Sequence, residues 1–142
     1  MESAWLTPKF EDAYLLNNTL RHAAVGINVA STVSLELCMF DKPVINVGYN
    51  PPSVNTNVVD YARYYEFDHY RPVVQSGAVS VAWSKDEMKS MLRTALAKPQ
   101  ESRLARRRLI DQMFGKSLDG NTGLRVASLL VELAEKSLTT NR

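Results

Sequence analysis

The stretch VGINVASTVSLELCMFDKPVINVGY, Val25 to Tyr49, decides the fold. An apolar run, Val25–Val29, breaks at Ala30-Ser31-Thr32. An apolar segment of helical length follows, and its one acid is Glu36. Asp41-Lys42-Pro43 then turns the chain into a second apolar run, Val44–Val47, in which Asn46 is the polar exception. This succession reads as strand, hydroxyl turn, short helix, strand: a βαβ unit. A strand apolar on both faces is what a buried parallel sheet requires. Ser31-Thr32 falls where strand passes into helix. Backbone N–H groups point outward there and the helix dipole favours an anion, so the turn predicts a phosphate-bearing ligand. Ser and Thr are also preferred helix caps whatever the function, and that alternative stays open.

Reading outward, Glu11 to Ala24 has helical spacing, with Leu15, Leu16, Leu20 and Ala23 on one face. Residues 1–10 read as a tail, with a fourth strand near Ala4–Thr7 as an option. Downstream, Asn50–Asn57 is a loop, because Pro51-Pro52 excludes helix and central strand. Val58–Tyr70 is aromatic and polar. Arg71-Pro72 opens a short helix that Gly77 ends. Ala78–Trp83 alternates as a third strand. Ser84 and Glu87 form a capping box for a helix from Lys85 to about Lys98, stopped by Pro99. Its apolar positions are Met88, Met91, Leu92, Ala95 and Leu96. A further helix runs from Gln100 to about Phe114 and carries Arg103, Arg106, Arg107 and Arg108. The last runs from Leu124 to about Ser137 behind the turn Asp119-Gly120, with Val126, Leu129, Leu130 and Leu133 as its stripe.

Strands alternating with helices predict an α/β domain, a three-layer Rossmann-like arrangement on a short parallel sheet. Residues 1–142 are taken as one such domain. Three strands are few for a doubly wound sheet, so the chain is expected to be part of a larger architecture.

Its 142 residues suffice for one domain with a real core. A net charge of +2 is too mild to argue for nucleic acid as partner. The single cysteine, Cys38, lies in an apolar segment and reads as a buried thiol of a reduced, cytoplasmic protein. No secretory leader pattern and no bilayer-length apolar run is present, and a peripheral contact with the membrane stays open. The phosphate-loop, dinucleotide, serine-hydrolase and zinc-protease motifs are all missing.

Glu36 lies one helical turn beyond Thr32, among Leu35, Leu37, Cys38 and Met39. A carboxylate there could accept both hydroxyls of a ribose, or it could be a solvated helix residue. His69 sits in an aromatic, acid-containing loop, where it could bind a phosphate or a sugar hydroxyl or be a surface or packing histidine. Asp119-Gly120-Asn121-Thr122 opens the last helix, as a second polar loop toward the ligand with Arg125 one turn in to reach an anion, or as a plain helix start capped by Thr122 or Asn121. The arginines at 103–108 read as a solvated helix face, with an acidic lipid or partner as the alternative. Two histidines far apart and no Cys/His cluster argue against a metal.

The pattern Ile27-Asn28-Val29-Ala30-Ser31-Thr32-Val33-Ser34-Leu35-Glu36, followed by Lys42-Pro43-Val44-Ile45-Asn46-Val47, resembles the C-terminal nucleotide-binding domain of GT-B glycosyltransferases. The closer likeness is to bacterial surface-polysaccharide and CDP-glycerol glycerophosphotransferase-like proteins. Phe67-Asp68-His69-Tyr70-Arg71-Pro72 and Asp119-Gly120…Arg125 are similar to that group too. The resemblance covers about residues 11–135. It implies a nucleotide-sugar donor, with Ser31 and Thr32 at its diphosphate, Glu36 at its ribose, and His69, Asp119 and Arg125 on donor-side loops. It implies no cofactor and no metal, and a catalytic base in an N-terminal acceptor domain that this chain lacks. It further implies a place in polysaccharide biosynthesis in the cytoplasm, or at the inner face of the membrane. Two alternatives remain beside it: a sugar-nucleotide 2-epimerase-like enzyme, and a non-catalytic α/β interaction domain.

Overall fold

The computed structural model describes residues 9–53 and 59–140, with side chains described through 137. The optional strand at Ala4–Thr7 and residues 54–57 of the predicted loop lie outside the described residues. The elements are α1 (Phe10–His22), β1 (Gly26–Asn28), α2 (Val33–Met39), β2 (Val44–Val47), a 3-10 turn (Tyr61–Tyr65), α3 (Arg71–Gln75), β3 (Val79–Ala82), α4 (Lys85–Ala97), α5 (Arg103–Phe114) and α6 (Thr122–Thr140). The chain divides into two units, Met1–Ile110 and Asp111–Arg142, with the division inside α5.

The first unit is mixed α/β around a three-stranded, all-parallel sheet in the order β1-β2-β3. Parallel neighbours need crossovers, and α2 supplies the first of them. In register, Asn28 stands opposite Asn46, and Asn46 opposite Val81. Alternation along the strands therefore puts Asn28 and Asn46 on one face and Ile45 and Ser80 on the other. The first face meets α2 and the start of α3, where Asn46 bonds to Ser34 and Tyr70. The second face, with Ile45 and Ser80, shares a cavity with Met91 and Ala95 of α4. Helices thus lie on both faces, although Ile27 and Ser80 on the second face stay exposed. The core is Leu37, Cys38, Val44, Ile45, Val73, Val79, Ala82 and Leu109, all buried.

Local chemistry explains the boundaries. Gly77 adopts φ +70° behind α3, as a helix-ending glycine does. The Ser84 hydroxyl accepts from Glu87 N at 3.2 Å, and the Glu87 carboxylate accepts from Trp83 N at 2.8 Å, one residue earlier than the standard box. Glycine is required at 48, where a Cβ would lie 2.5 Å from a ring carbon of Trp83. Helix α5 begins three residues later than the sequence suggests, because residues 98–102 form turns that accept and donate locally.

The arginine run departs most from expectation. Arg107 and Arg108 are exposed, but Arg106 turns inward and is 1% exposed. Its Nε and Nη2 donate to Asp41 Oδ1 at 2.9 and 2.7 Å, and Nη2 also donates to the Pro99 carbonyl at 2.9 Å. Arg103 Nε reaches the other oxygen, Asp41 Oδ2, at 3.0 Å. A buried charge persists only when paired and hydrogen-bonded. Asp41 meets that need from an unusual backbone. Its φ is +56°, at the turn where Lys42 N bonds back to the Leu37 carbonyl and ends α2. Asp and Asn reach this left-handed region most readily among non-glycine residues.

In the second unit, Gly115 and Gly120 take positive φ and α6 follows. The expected stripe of α6, Val126, Leu129, Leu130 and Leu133, is exposed.

Asn at position 41 keeps the backbone preference and removes the charge. Asp41→Asn should cost about 3 kcal/mol, the lower end for breaking a buried pair because Asp41 retains some solvent. Asp41→Ala should cost more, by the roughly 1–2 kcal/mol of left-handed strain. Urea midpoints of the two variants measure both terms.

Candidate functional site at the carboxyl end of the sheet

In an open parallel sheet, ligands bind beyond the carboxyl ends of the strands. In this chain that end is bordered by the turn after β1, the residues after β2, and the segment leading into α3. Ser31 and Thr32 occupy the first of these. The Ser31 hydroxyl accepts from Val33 N at 3.3 Å, so Ser31 caps the first turn of α2. Thr32 is the formal N-cap, yet its backbone is helical and its hydroxyl makes no capping bond. Thr32 is exposed and Ser31 partly so. The capping alternative therefore holds for Ser31 and not for Thr32. With seven residues, α2 has under two full turns of aligned peptide dipole, so an anion here would rely on hydroxyls and N–H groups more than on the dipole.

Glu36 is half-buried one turn along α2, and among the described residues its carboxylate forms no hydrogen bond or ion pair. Its neighbours Leu37 and Cys38 point into the core. The one-turn spacing thus brings Thr32 and Glu36 to the same side of α2.

His69 is exposed and stacks on Phe67, with ring centroids 5.7 Å apart and planes at 25°. Asp119 and Arg125 belong to the second unit and bond to each other. Arg125 Nη1 donates to both Asp119 oxygens at 2.8 Å, and Nη2 to the Ser117 carbonyl and the Thr122 hydroxyl. Asp119 Oδ1 also accepts from Asn121 N at 2.9 Å. These bonds hold the Asp119 carboxyl below the usual carboxylate range, through the Asn121 N–H first and the Arg125 guanidinium second. The pair thus holds the turn that enters α6, where the Thr122 hydroxyl donates to the Ser117 carbonyl at 3.1 Å.

Sequence reading missed a buried polar cluster beneath the turn. Asn46, 0% exposed in the central strand, donates through Nδ2 to the Tyr70 hydroxyl at 2.6 Å. Tyr70 donates to Ser34 Oγ at 2.8 Å, and Ser34 Oγ lies 3.2 Å from Asn46 Oδ1 and 3.1 Å from Asn28 Oδ1. Ser34 is in the first turn of α2, so the cluster ties that turn to β1, β2 and the start of α3. A second aromatic anchor stands beside it: Tyr65 donates to the Val47 carbonyl at 2.7 Å and meets Tyr70 and Trp83 edge-on. Of the aromatic stretch 61–70, Tyr65 and Tyr70 are therefore interior, while Tyr64 and Phe67 remain exposed. The signal for the cluster was in the sequence, as the single amide in an otherwise apolar strand.

Cys38 is buried on α2, and burial pushes its thiol up to about 11, with Arg106 opposing weakly. That makes it a poor nucleophile at neutral pH. Among the described residues no group of three His, Cys, Asp or Glu side chains could hold a metal ion. No helix of the described residues is long and apolar enough to cross a membrane. Comparison with protein-family models, with curated proteins and with solved structures finds no match to this chain.

Tyr70→Phe removes one hydroxyl, leaves the buried Asn46 Nδ2 without its acceptor and takes a donor from Ser34, so it should cost about 1–3 kcal/mol. A denaturant-melt cycle with Ser34→Ala should show that the two losses are not additive. For Cys38 the sign follows from the raised value. The unfolded thiol loses its proton near 9.0 and the folded one near 11. Its contribution is full below pH 9.0 and is lost as pH rises toward 11. Cys38→Ala should flatten the decline in stability over that window.

Proposed function

We propose that this chain is the donor-binding part of a GT-B-type glycosyltransferase, one that moves a glycosyl or glycerophosphate group from a nucleotide donor to a polysaccharide or glycan acceptor. The observation that carries the reading is the βα connection after β1. It presents a cap-free Thr32 hydroxyl, the Ser31 hydroxyl and the half-buried Glu36 carboxylate, unpaired among the described residues, at the carboxyl end of a parallel sheet. Hydroxyls and N–H groups suit a diphosphate, and a carboxylate one turn further suits the paired hydroxyls of a ribose.

On this reading the sheet is a short Rossmann-like core, the C-terminal half of a two-domain enzyme. Ser31 and Thr32 hold the donor diphosphate and stabilise the charge that develops as it leaves. Glu36 fixes the nucleoside, which places the bond to be broken at the mouth of the cleft. His69 stands on a donor-side loop. Asp119 and Arg125 would serve the donor only by giving up their own pairing, so they rank behind the others. The base that activates the acceptor belongs to an N-terminal domain, and this chain alone should transfer nothing. No cofactor enters the reading.

Calorimetric titration of UDP, GDP and CDP tests it. One of the three should bind. Ser31→Ala or Glu36→Ala should each weaken it about tenfold, the 1.4 kcal/mol expected of a hydrogen bond to a charged group. If no nucleotide binds at millimolar concentration, to this chain or to a longer one containing it, the reading is wrong. Binding that ignores both substitutions would keep the donor and discard the residues.

A further inference from the structure

The amino ends of the strands hold a second feature that the donor reading does not use. A cavity of about 160 Å³ lies between the sheet, α4 and the turn into α5. It opens to solvent, and Ser80, Thr94, Lys98 and Glu101 of its lining are exposed. Ile45, Met91 and Ala95 form apolar wall, Ser80 and Thr94 add hydroxyls, and Arg106 contributes to the lining.

Arg106 makes this cavity unlike an ordinary packing defect. Its Nε and Nη2 are consumed by Asp41 and the Pro99 carbonyl. Its Nη1 forms no hydrogen bond among the described residues, although the side chain is 1% exposed. Nor is Nη1 among the fully enclosed polar atoms without a partner, so it keeps an opening. A guanidinium has five N–H donors in a fixed fork, and two of them point from Nη1. Charge adds to the demand. Asp41 is a single negative charge shared by Arg103 and Arg106. Lys98 and Glu101, one of each sign, also line the cavity. Counting Arg103, one positive charge is left over beside an open, mostly polar cavity.

We infer that the cavity beneath α4 is a binding site for a small oxyanion, a carboxylate or phosphate group, held by Nη1 of Arg106. The group would supply the missing acceptor and the missing negative charge together, and charge-assisted bonds of this kind are the strong ones. The apolar wall leaves room for a short carbon chain behind the oxyanion, and the Ser80 and Thr94 hydroxyls flank it. The site lies at the end of the strands opposite Ser31 and Glu36, so it stands whether or not a nucleotide binds there.

Side-chain and amide NMR of the full chain tests this, with inorganic phosphate and propionate as separate probes and sodium chloride at matched ionic strength as control. Either probe should produce saturable shifts of the Arg106 Nε–H and the Ser80 and Thr94 amides, with a millimolar dissociation constant. Stronger shifts with propionate identify a carboxylate with an apolar tail, and stronger shifts with phosphate identify a phosphate group. Ala95→Leu fills the chamber and should weaken binding at least tenfold while the melting temperature holds or rises. Ser80→Val narrows it from the strand side and serves if Ala95→Leu fails to fold. Shifts that grow linearly and follow chloride overturn the inference, and so does saturable binding that a folded filling variant leaves unchanged.

Discussion

A buried amide in the middle of the central strand sets the terms for the carboxyl end of this molecule. Asn46 has neighbours on both sides in the sheet and no access to water. Burying such a group without partners would cost several kcal/mol, comparable with a large share of a small domain's stability. The cost is avoided because Tyr70 and Ser34 reach it from two different elements. Satisfying one side chain therefore fixes where α2 begins and where the aromatic segment turns into α3. The turn bearing Ser31 and Thr32 inherits its position from that bond set, since Ser34 is only two residues further on. Whatever the turn recognises, its geometry is held from below by groups that would never touch the ligand.

The amino end of the sheet is governed by charge instead. Asp41 lets α5 approach by neutralising Arg106, and the same contact frames the chamber beneath α4. The two ends thus use opposite chemistry, neutral hydrogen bonds at one and a partly buried ion cluster at the other. A cluster of this kind gains little from Coulomb attraction alone once desolvation is counted. Its effect is to specify which arginine of the run turns inward.

Much of the fold was legible because its signals are local. The βαβ unit, the Ser84 and Glu87 cap, the stop at Pro99 and the glycine turn at Gly77 each rest on residues within a few positions of one another. What stayed hidden depends on contacts across dozens of positions. Arg106 and Asp41 are 65 residues apart, and Tyr70 and Ser34 are 36 apart. Helical spacing puts Arg106 on the face of Leu109 and Ile110, but nothing near it in sequence names the acid it pairs with. For the candidate site, the turn and Glu36 could be read because one element carries them. His69, Asp119 and Arg125 were nominated by residue type and by weak flanking resemblance, and the structure gives each a stacking or pairing partner close in sequence.

Position 41 faces two independent filters. The left-handed backbone admits glycine, asparagine and aspartate at little cost and penalises nearly everything else. The twin guanidinium contacts admit only an acid, and glutamate, one methylene longer, lacks the left-handed tolerance of aspartate. Of the twenty amino acids, aspartate alone passes both. A turn residue that local rules would class as freely exchangeable is thereby reduced to a one-letter alphabet, by a partner that lies 65 residues away.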